Sequence, residues 1–305
     1  MQTPVDWDLL RSFLAVARAG KLTGAARNLK INHATLSRRV AALEAALNTK
    51  LFDRQISGYV LTAQGQRLLG RAEEMERSVF AIQADVADEG TEVSGTVRIG
   101  APEGFGTHFL AARIGMLARA HPDLFVELVP MPRSFSLSKR EADIVIGLSQ
   151  PAQGRLHTRK LSDYELGVYG ARHRSEDWSR LRNRNDVVRH PFIGYIDDLI
   201  YAPELDYLPA LSRAIEPQIR SSSILAQMEA TCTGAGIAIL PCFLAEPEPR
   251  LIRILPDELS LIRTFWMMID SGLRRLPHIG ATADFLARQV QQSRAILLPR
   301  HGTAR

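Results

Sequence analysis

Apolar residues follow two different grammars along this chain, and the change comes near residue 90. In the first part they recur at helical intervals. Between Asp8 and Ala19, residues Leu9, Leu10, Phe13, Leu14 and Ala17 share one face, and Gly20 with Lys21 supplies a stop. Ala25, Ala26 and Leu29 give a short second helix its apolar side. Lys30, Ile31 and Asn32 fit a tight turn, with Asn32 as N-cap of a third helix from His33 to about Leu47. Ile31, Leu36, Val40 and Leu43 then face inward, which leaves His33, Ala34, Thr35, Ser37, Arg38 and Arg39 on or near the other side. LFDRQISGYVLT reads as two short strands around a turn near Ser57 and Gly58.

From Thr62, a predicted N-cap, helical spacing runs on to about Asp88. Leu68, Ala72, Met75, Val79, Ile82 and Val86 recur at alternating intervals of four and three, the a/d spacing of a coiled coil. A seam that narrow predicts burial against a like helix in a dimer. The competing reading packs it on the chain's own core, where a wider apolar stripe is usual.

DEGTEVS, Asp88 to Ser94, is a polar break that reads as a hinge. Beyond it, strands are predicted at Thr96–Gly100, Phe125–Val129, Ala142–Gly147, Tyr164–Tyr169, Phe192–Ile196 and Ile237–Ile239. Helices are predicted at Thr107–Ala120, Tyr207–Ala214, Ile224–Thr233 and Ile279–Arg294. The alternation implies a mostly parallel sheet arranged in two α/β lobes.

Bulk composition, 46% hydrophobic and 23% charged, is ordinary for a globular protein and excludes little beyond disorder. The position of the charge is more telling. Between Leu9 and Val60 nine Lys or Arg stand against two acids, an excess of seven, whereas the whole chain carries +5. A polyanionic partner requires such a segment. Thr23, Asn32, His33, Ala34, Thr35, Ser37, Arg38 and Arg39 then form the candidate DNA-reading face, its donors able to reach base edges and phosphates in a major groove. Arg54, Gln55 and Ser57 would sit on the hairpin as a wing, to enter a minor groove or hold a phosphate. A plain pair of amphipathic helices with a solvated basic face is the bland alternative.

Catalysis has no candidate constellation. HExxH, paired CxxC and GxSxG are absent, the eight histidines are scattered, and the glycine pairs GFG and GAG lack a full dinucleotide fingerprint. No enzymatic activity, metal or resident cofactor is therefore expected. The N-terminus lacks the layout of a signal peptide, and Gly236–Ala245 is interrupted by Pro241 and too short to span a bilayer, so a cytoplasmic protein without a membrane partner is expected. In α/β sheets ligands sit beyond the carboxyl ends of strands, beside helix starts, which points to APEGFGT with Pro102, Glu103 and Thr107.

The run FLAVARAGKLTGAARNLKINHATLSRRVAALEAALNTKLFDR, followed by LTAQG, resembles the LysR-type transcriptional regulators. GTVRIGAP, EADIVIG and GAGIAILP extend the resemblance more weakly, to essentially the whole chain. The resemblance implies an N-terminal all-α winged helix-turn-helix with a long linker helix, plus an α/β two-lobed periplasmic-binding-protein-like effector domain. The corresponding boundaries are 1–62 for the DNA-binding domain and 63–91 for the linker helix and hinge. Lobe I takes 92–163 and 267–300, and lobe II takes 164–266.

By the same resemblance the cleft walls lie near Arg133, Ser134, Leu148, Ser149, Gly194 through Ile196 to Asp197, and Ser222 with Ser223. Glu103, Asp197 and Asp198 make that rim less friendly to anions than a cleft lined by Arg and Thr. The implied partners are double-stranded promoter DNA, a small-molecule effector of unknown identity, and the chain itself as homodimer or homotetramer. RNA polymerase is a further contact the family allows. The alternative function is a small-molecule-binding or enzymatic α/β protein with an accessory helical dimerisation domain. Many members open the reading helix with Gln-Pro after a Ser cap, where this chain has Asn32, His33 and Ala34, so no operator sequence carries over. His33 has three readings: a base-edge contact, a phosphate contact or a solvated helix start. Cys232 and Cys242 resemble the redox-sensing branch of the family, against the reading that they are small buried hydrophobes.

Overall fold

The computed structural model describes residues 5–55, 58–86, 93–131, 133, 135, 141–151 and 156–299, with the backbone alone at 77, 81 and 83–86. Two compact units result, a head with its long helix and an α/β module.

In the head, α1 (Trp7–Ala19) begins where the Asp6 carboxylate accepts the Asp8 amide at 3.1 Å, and it stops at Gly20, left-handed at φ 65°. The next helix, α2 (Leu22–Leu29), ends at Lys30, also left-handed at φ 53°, and the chain turns through Ile31 and Asn32 into α3 (His33–Ala46). Phe13, Leu14, Leu36, Leu43 and Leu51 are fully buried where these helices meet. Each such side chain contributes about 1.5–3 kcal/mol relative to exposure. A hairpin follows, β1 (Phe52–Gln55) antiparallel to β2 (Gly58–Leu61). It is clamped to the end of α1, since the Tyr59 amide donates to the Gly20 carbonyl at 2.8 Å. A Cβ on Gly58, at φ 136°, would lie 2.2 Å from that same oxygen, so only glycine fits.

Thr62 caps α4 (Ala63–Val86): its hydroxyl accepts the Gly65 amide at 3.0 Å and donates to the Lys50 carbonyl at 2.8 Å. The predicted seam on α4 divides in two. Ala72 is 1% exposed inside the head's own core, and Leu68 packs against that core. Ala72 is thus committed to the head's own core rather than to the partner helix expected for it, while Leu68 is half-buried against that core. Further along, Met75 (43%) and Ile82 (63%) are exposed and Val79 is half-buried; the Val86 side chain lies outside the described residues. Arg18 of α1 fixes the direction in which α4 leaves, its guanidinium meeting Glu76 at 3.1 and 2.6 Å.

The module is built on one nine-stranded sheet. In chain order its strands are β3 (Gly95–Pro102), β4 (Leu124–Met131), β5 (Ile144–Gly147), β6 (Leu156–Ala171) and β7 (Phe192–Gly194), then β8 (Ile219–Arg220), β9 (Ile237–Pro241), β10 (Leu251–Ile254) and β11 (Ser260–Asp270). The order across the sheet is β4-β3-β5-β11-β6-β9-β7-β8, with β10 beside β6. The expected mostly parallel sheet is corrected to a mixed one. Parallel pairing holds for β3 with β4 and β5 and for β7 with β8 and β9, but β6 and β11 run antiparallel to each other and to their neighbours β9, β10 and β5.

These two long strands join the lobes. β11 pairs with β5 at Trp266–Ile269, while β6 pairs with β9 at Leu166–Tyr169, and the ladder between them shifts register between Phe265 and Trp266. After a π-helical turn (Phe105–Leu110), α5 (Ala111–Ala120) covers lobe I together with α6 (Pro277–Gln292). The helix expected over Tyr207–Ala214 shrinks to one turn at Leu208–Leu211, and α7 (Ile224–Cys232) covers lobe II.

Candidate nucleic-acid interface and effector pocket

The first turn of α3 faces solvent. Asn32 Oδ1 accepts the Ala34 amide at 2.8 Å, so this side chain is engaged as the cap it was expected to be. His33, Ala34 and Arg38 are exposed, and Thr35, Ser37 and Arg39 are half-buried. Arg38 Nη2 lies 3.4 Å from Thr35 Oγ1, whereas Arg39 turns back to α1 and sits 3.6 Å from Asp8 Oδ2. Arg38 is thus the cation the helix offers outward, and Arg39 is partly neutralised. Thr23 is exposed at the start of α2, and Arg54 and Gln55 are exposed at the end of β1, with the Arg54 guanidinium 5.5 Å from the Tyr59 ring. Ser57 lies outside the described residues.

Glu44 holds the reading helix to the hairpin. Its carboxylate accepts the Leu51 amide at 2.9 Å, the Phe52 amide at 3.3 Å and Lys50 Nζ at 2.7 Å. Burial opposes the charge, yet the three donors together outweigh it and hold the carboxyl below its ordinary range.

Between the lobes lies a small cavity that is partly open to solvent. Pro102, Glu103 and Phe105 come from the end of β3 and the turn after it, Ser222 and Ile224 from the start of α7. Tyr164, Tyr195, Tyr201 and Tyr207 supply its phenols. Tyr164 stacks on Phe265 at 4.1 Å between ring centroids, and Tyr195 meets Tyr207 edge-on at 6.0 Å. Burial raises the phenols of Tyr164 and Tyr195 well above their ordinary range and pushes Tyr207 up to about 12, so all three stay neutral. Glu103 Oε1 accepts from Ser223 Oγ at 3.0 Å, and Ser223 Oγ also takes the Ala226 amide as cap of α7.

The family model for the LysR substrate binding domain matches residues 90–291, and that for the lysR-family bacterial regulatory helix-turn-helix protein matches 7–66. The chain belongs to the LysR family. It is a DNA-binding transcriptional regulator of that type, with an effector-binding module following its reading head in the sequence. The transcriptional regulator PtxR of Pseudomonas aeruginosa is 26% identical over 275 residues, 88% of this chain and 85% of that protein. DgdR of Burkholderia cepacia is 35% identical over 153 residues, 49% of this chain and 51% of its own. A full-length OxyR variant from Pseudomonas aeruginosa shares the fold at a TM-score of 0.75 and 17% identity, covering 95% of each chain. CrgA of Neisseria meningitidis does so at 0.56 and 20%, covering 94% of this chain and 99% of that one.

In this LysR-type regulator the expected effector residues scatter. Pro102, Glu103 and Ser222 line the cavity, and Ser223 supports Glu103. Thr107 is exposed, and Arg133 is exposed with its guanidinium 5.2 Å from the Phe135 ring; neither lines the cavity. Ser149 donates to Glu204, Ile196 is half-buried beside Tyr195, and Asp197 pairs with Arg220 at 2.8 Å in an adjoining pocket. Ser134 lies outside the described residues. The tyrosines were not anticipated. Tyr195, Tyr201 and Tyr207 stand six residues apart, and four of the chain's six tyrosines converge here, which is the one trace they leave in the sequence.

Cys232 and Cys242 are both buried free thiols, and burial raises both, Cys242 to about 11. A raised thiol holds little of the nucleophilic thiolate. Among the described residues no helix is long and apolar enough to cross a membrane.

Proposed function

We propose that this regulator acts as a homodimer, or as a homotetramer built from such dimers, that reads a dyad-like promoter site. The observation that carries this reading is α3, whose outward side bears His33, hydroxyls and Arg38 and no acid, on a helix that fits a major groove. His33, Thr35, Ser37 and Arg38 meet base edges or phosphates. Thr23 and Arg39 hold flanking phosphate, and Arg54 and Gln55 approach the backbone or the minor groove from the wing. Asn32 contributes as a cap rather than as a reader. Met75, Val79 and Ile82 form the seam between two copies, because Met75 and Ile82 are exposed and Val79 is half-buried on the apolar row beyond Ala72.

The cavity between the lobes takes the effector. Ligand binding biases the module toward one arrangement, and only to the extent that the ligand prefers it. The regulator works in the cytoplasm without catalysing a reaction, and contact with RNA polymerase is its route to transcription.

Footprinting of the tagged full-length protein on genomic fragments tests the reading. The expected outcome is a discrete protected site with two half-sites about a helical turn apart or a multiple of it. Ile82→Glu is expected to yield monomers in sedimentation and to lose the paired protection. Diffuse protection by the native protein, or an Ile82→Glu variant that stays dimeric, would overturn the corresponding half of the proposal.

A further inference from the structure

The lining of the cavity constrains the ligand's charge. Among the described residues it has one carboxyl group, that of Glu103, and no Lys, Arg or His. Glu103 Oε1 is engaged by Ser223, but Oε2 is buried and has no hydrogen-bond partner among the described residues. Carboxylate oxygens buried without a donor are costly, and folded proteins leave few of them unless a ligand, ion or water completes them. Basic side chains nearby are held elsewhere. Arg220 pairs with Asp197 at 2.8 Å, and Arg263 donates to the Ile262 and Glu204 carbonyls at 2.9 and 3.4 Å.

The remaining wall is aromatic. Phenol and phenyl faces carry the negative side of the ring quadrupole and attract a desolvated cation. An anionic ligand would meet an uncompensated carboxylate and electron-rich rings, with the Ser222 hydroxyl as poor recompense. A neutral alcohol would complete one hydrogen bond and leave the charge unbalanced.

We propose that the effector is a small protonated organic amine, whose ammonium donates to Glu103 Oε2 and whose apolar body packs among Tyr195, Tyr207 and Phe265. This rests on the reading of the cavity as the effector site, and the test separates the two. Full-length protein is titrated calorimetrically with phenethylamine, phenethyl alcohol and phenylacetate, which share an apolar frame and differ in charge. The native protein is expected to bind the amine at least tenfold more tightly than the carboxylate. Glu103→Gln is expected to erase that preference. Ser222→Trp, which fills the cavity, is expected to abolish binding.

Phenylacetate bound as tightly as the amine, and lost in Ser222→Trp, overturns the amine inference and leaves the effector site standing. Amine binding untouched by Ser222→Trp overturns the site and the inference together. An amine preference that survives Glu103→Gln, or binding of none of the three compounds, overturns the amine inference. The ratio between amine and carboxylate is measured on the native protein, so the proposal stays testable even where a variant fails to fold.

Discussion

The head buries Glu44 and the effector module half-buries Glu103, each where two elements meet, and the two carboxylates are completed in opposite ways. Glu44 receives two backbone amides and a lysine ammonium, and its carboxylate joins the reading helix to the hairpin. Glu103, at the lining of a cavity, receives one serine hydroxyl and keeps one buried oxygen without a donor among the described residues. The charge around them differs as well, since Lys50 sits beside Glu44 while the cavity lining has no cation among the described residues. The contrast teaches how to tell a structural acid from a binding acid. A structural acid has its donors built in, whereas a binding acid is left for something that comes and goes.

The harshest test of the contrast is Glu44→Ala, which strands the buried Leu51 and Phe52 amides. Urea unfolding is expected to show a loss of about 2–4 kcal/mol. An unchanged midpoint would mean that Glu44 is not structural. The pH dependence should follow the same carboxylate. Its folded pKa lies below the ordinary 4.5, so its contribution is fully present above that value and is lost as the pH falls through the folded pKa. Melting curves of Glu44→Gln should therefore be flatter than those of the native protein in that acidic window.

Next in size is Arg38→Ala, expected to weaken operator binding by about 1–3 kcal/mol if the guanidinium meets a base in bidentate fashion. If it touches phosphate alone, the loss should be nearly independent of sequence and the salt dependence shallower by about one unit of slope. Competition assays at several salt concentrations distinguish the two, and native binding at every salt removes Arg38 from the interface. Arg39→Ala should cost less, because Asp8 already holds that side chain. The smallest effect sharpens the comparison most. Glu103→Gln is expected to change unfolding stability by no more than about 0.5 kcal/mol, or to raise it, because no built-in network depends on the bare oxygen. A loss matching that of Glu44→Ala would erase the distinction.

The head was legible in the sequence because its logic is local. Asn32 beside Ala34, Gly20 at a helix end and Leu36, Val40 and Leu43 on one face are decided within a few residues of chain. Glu44 escaped notice because its amide partners belong to a hairpin whose placement no spacing announces. The module was legible in strands and helices but not in topology. Along SLIRTFWMMID, Phe265, Met267 and Ile269 are buried while Ile262, Trp266 and Met268 are not, but every one of them is apolar, so the period-two signal is masked. Missing that strand made the sheet look parallel. The cavity tyrosines were hidden for a related reason, since Tyr195, Tyr201 and Tyr207 lie on turns and irregular chain rather than on one helix or strand whose period would join them.

The paired strands β6 and β11 set the mechanical character of the module. Because a continuous antiparallel ribbon runs from one lobe into the other, the lobes are not two bodies on a slack tether. Relative movement must be taken up as torsion along that ribbon, concentrated where the ladder slips register between Phe265 and Trp266. The amides flanking that slip are the natural gauge of ligand occupancy, and their exchange with deuterium should change before that of any other rung.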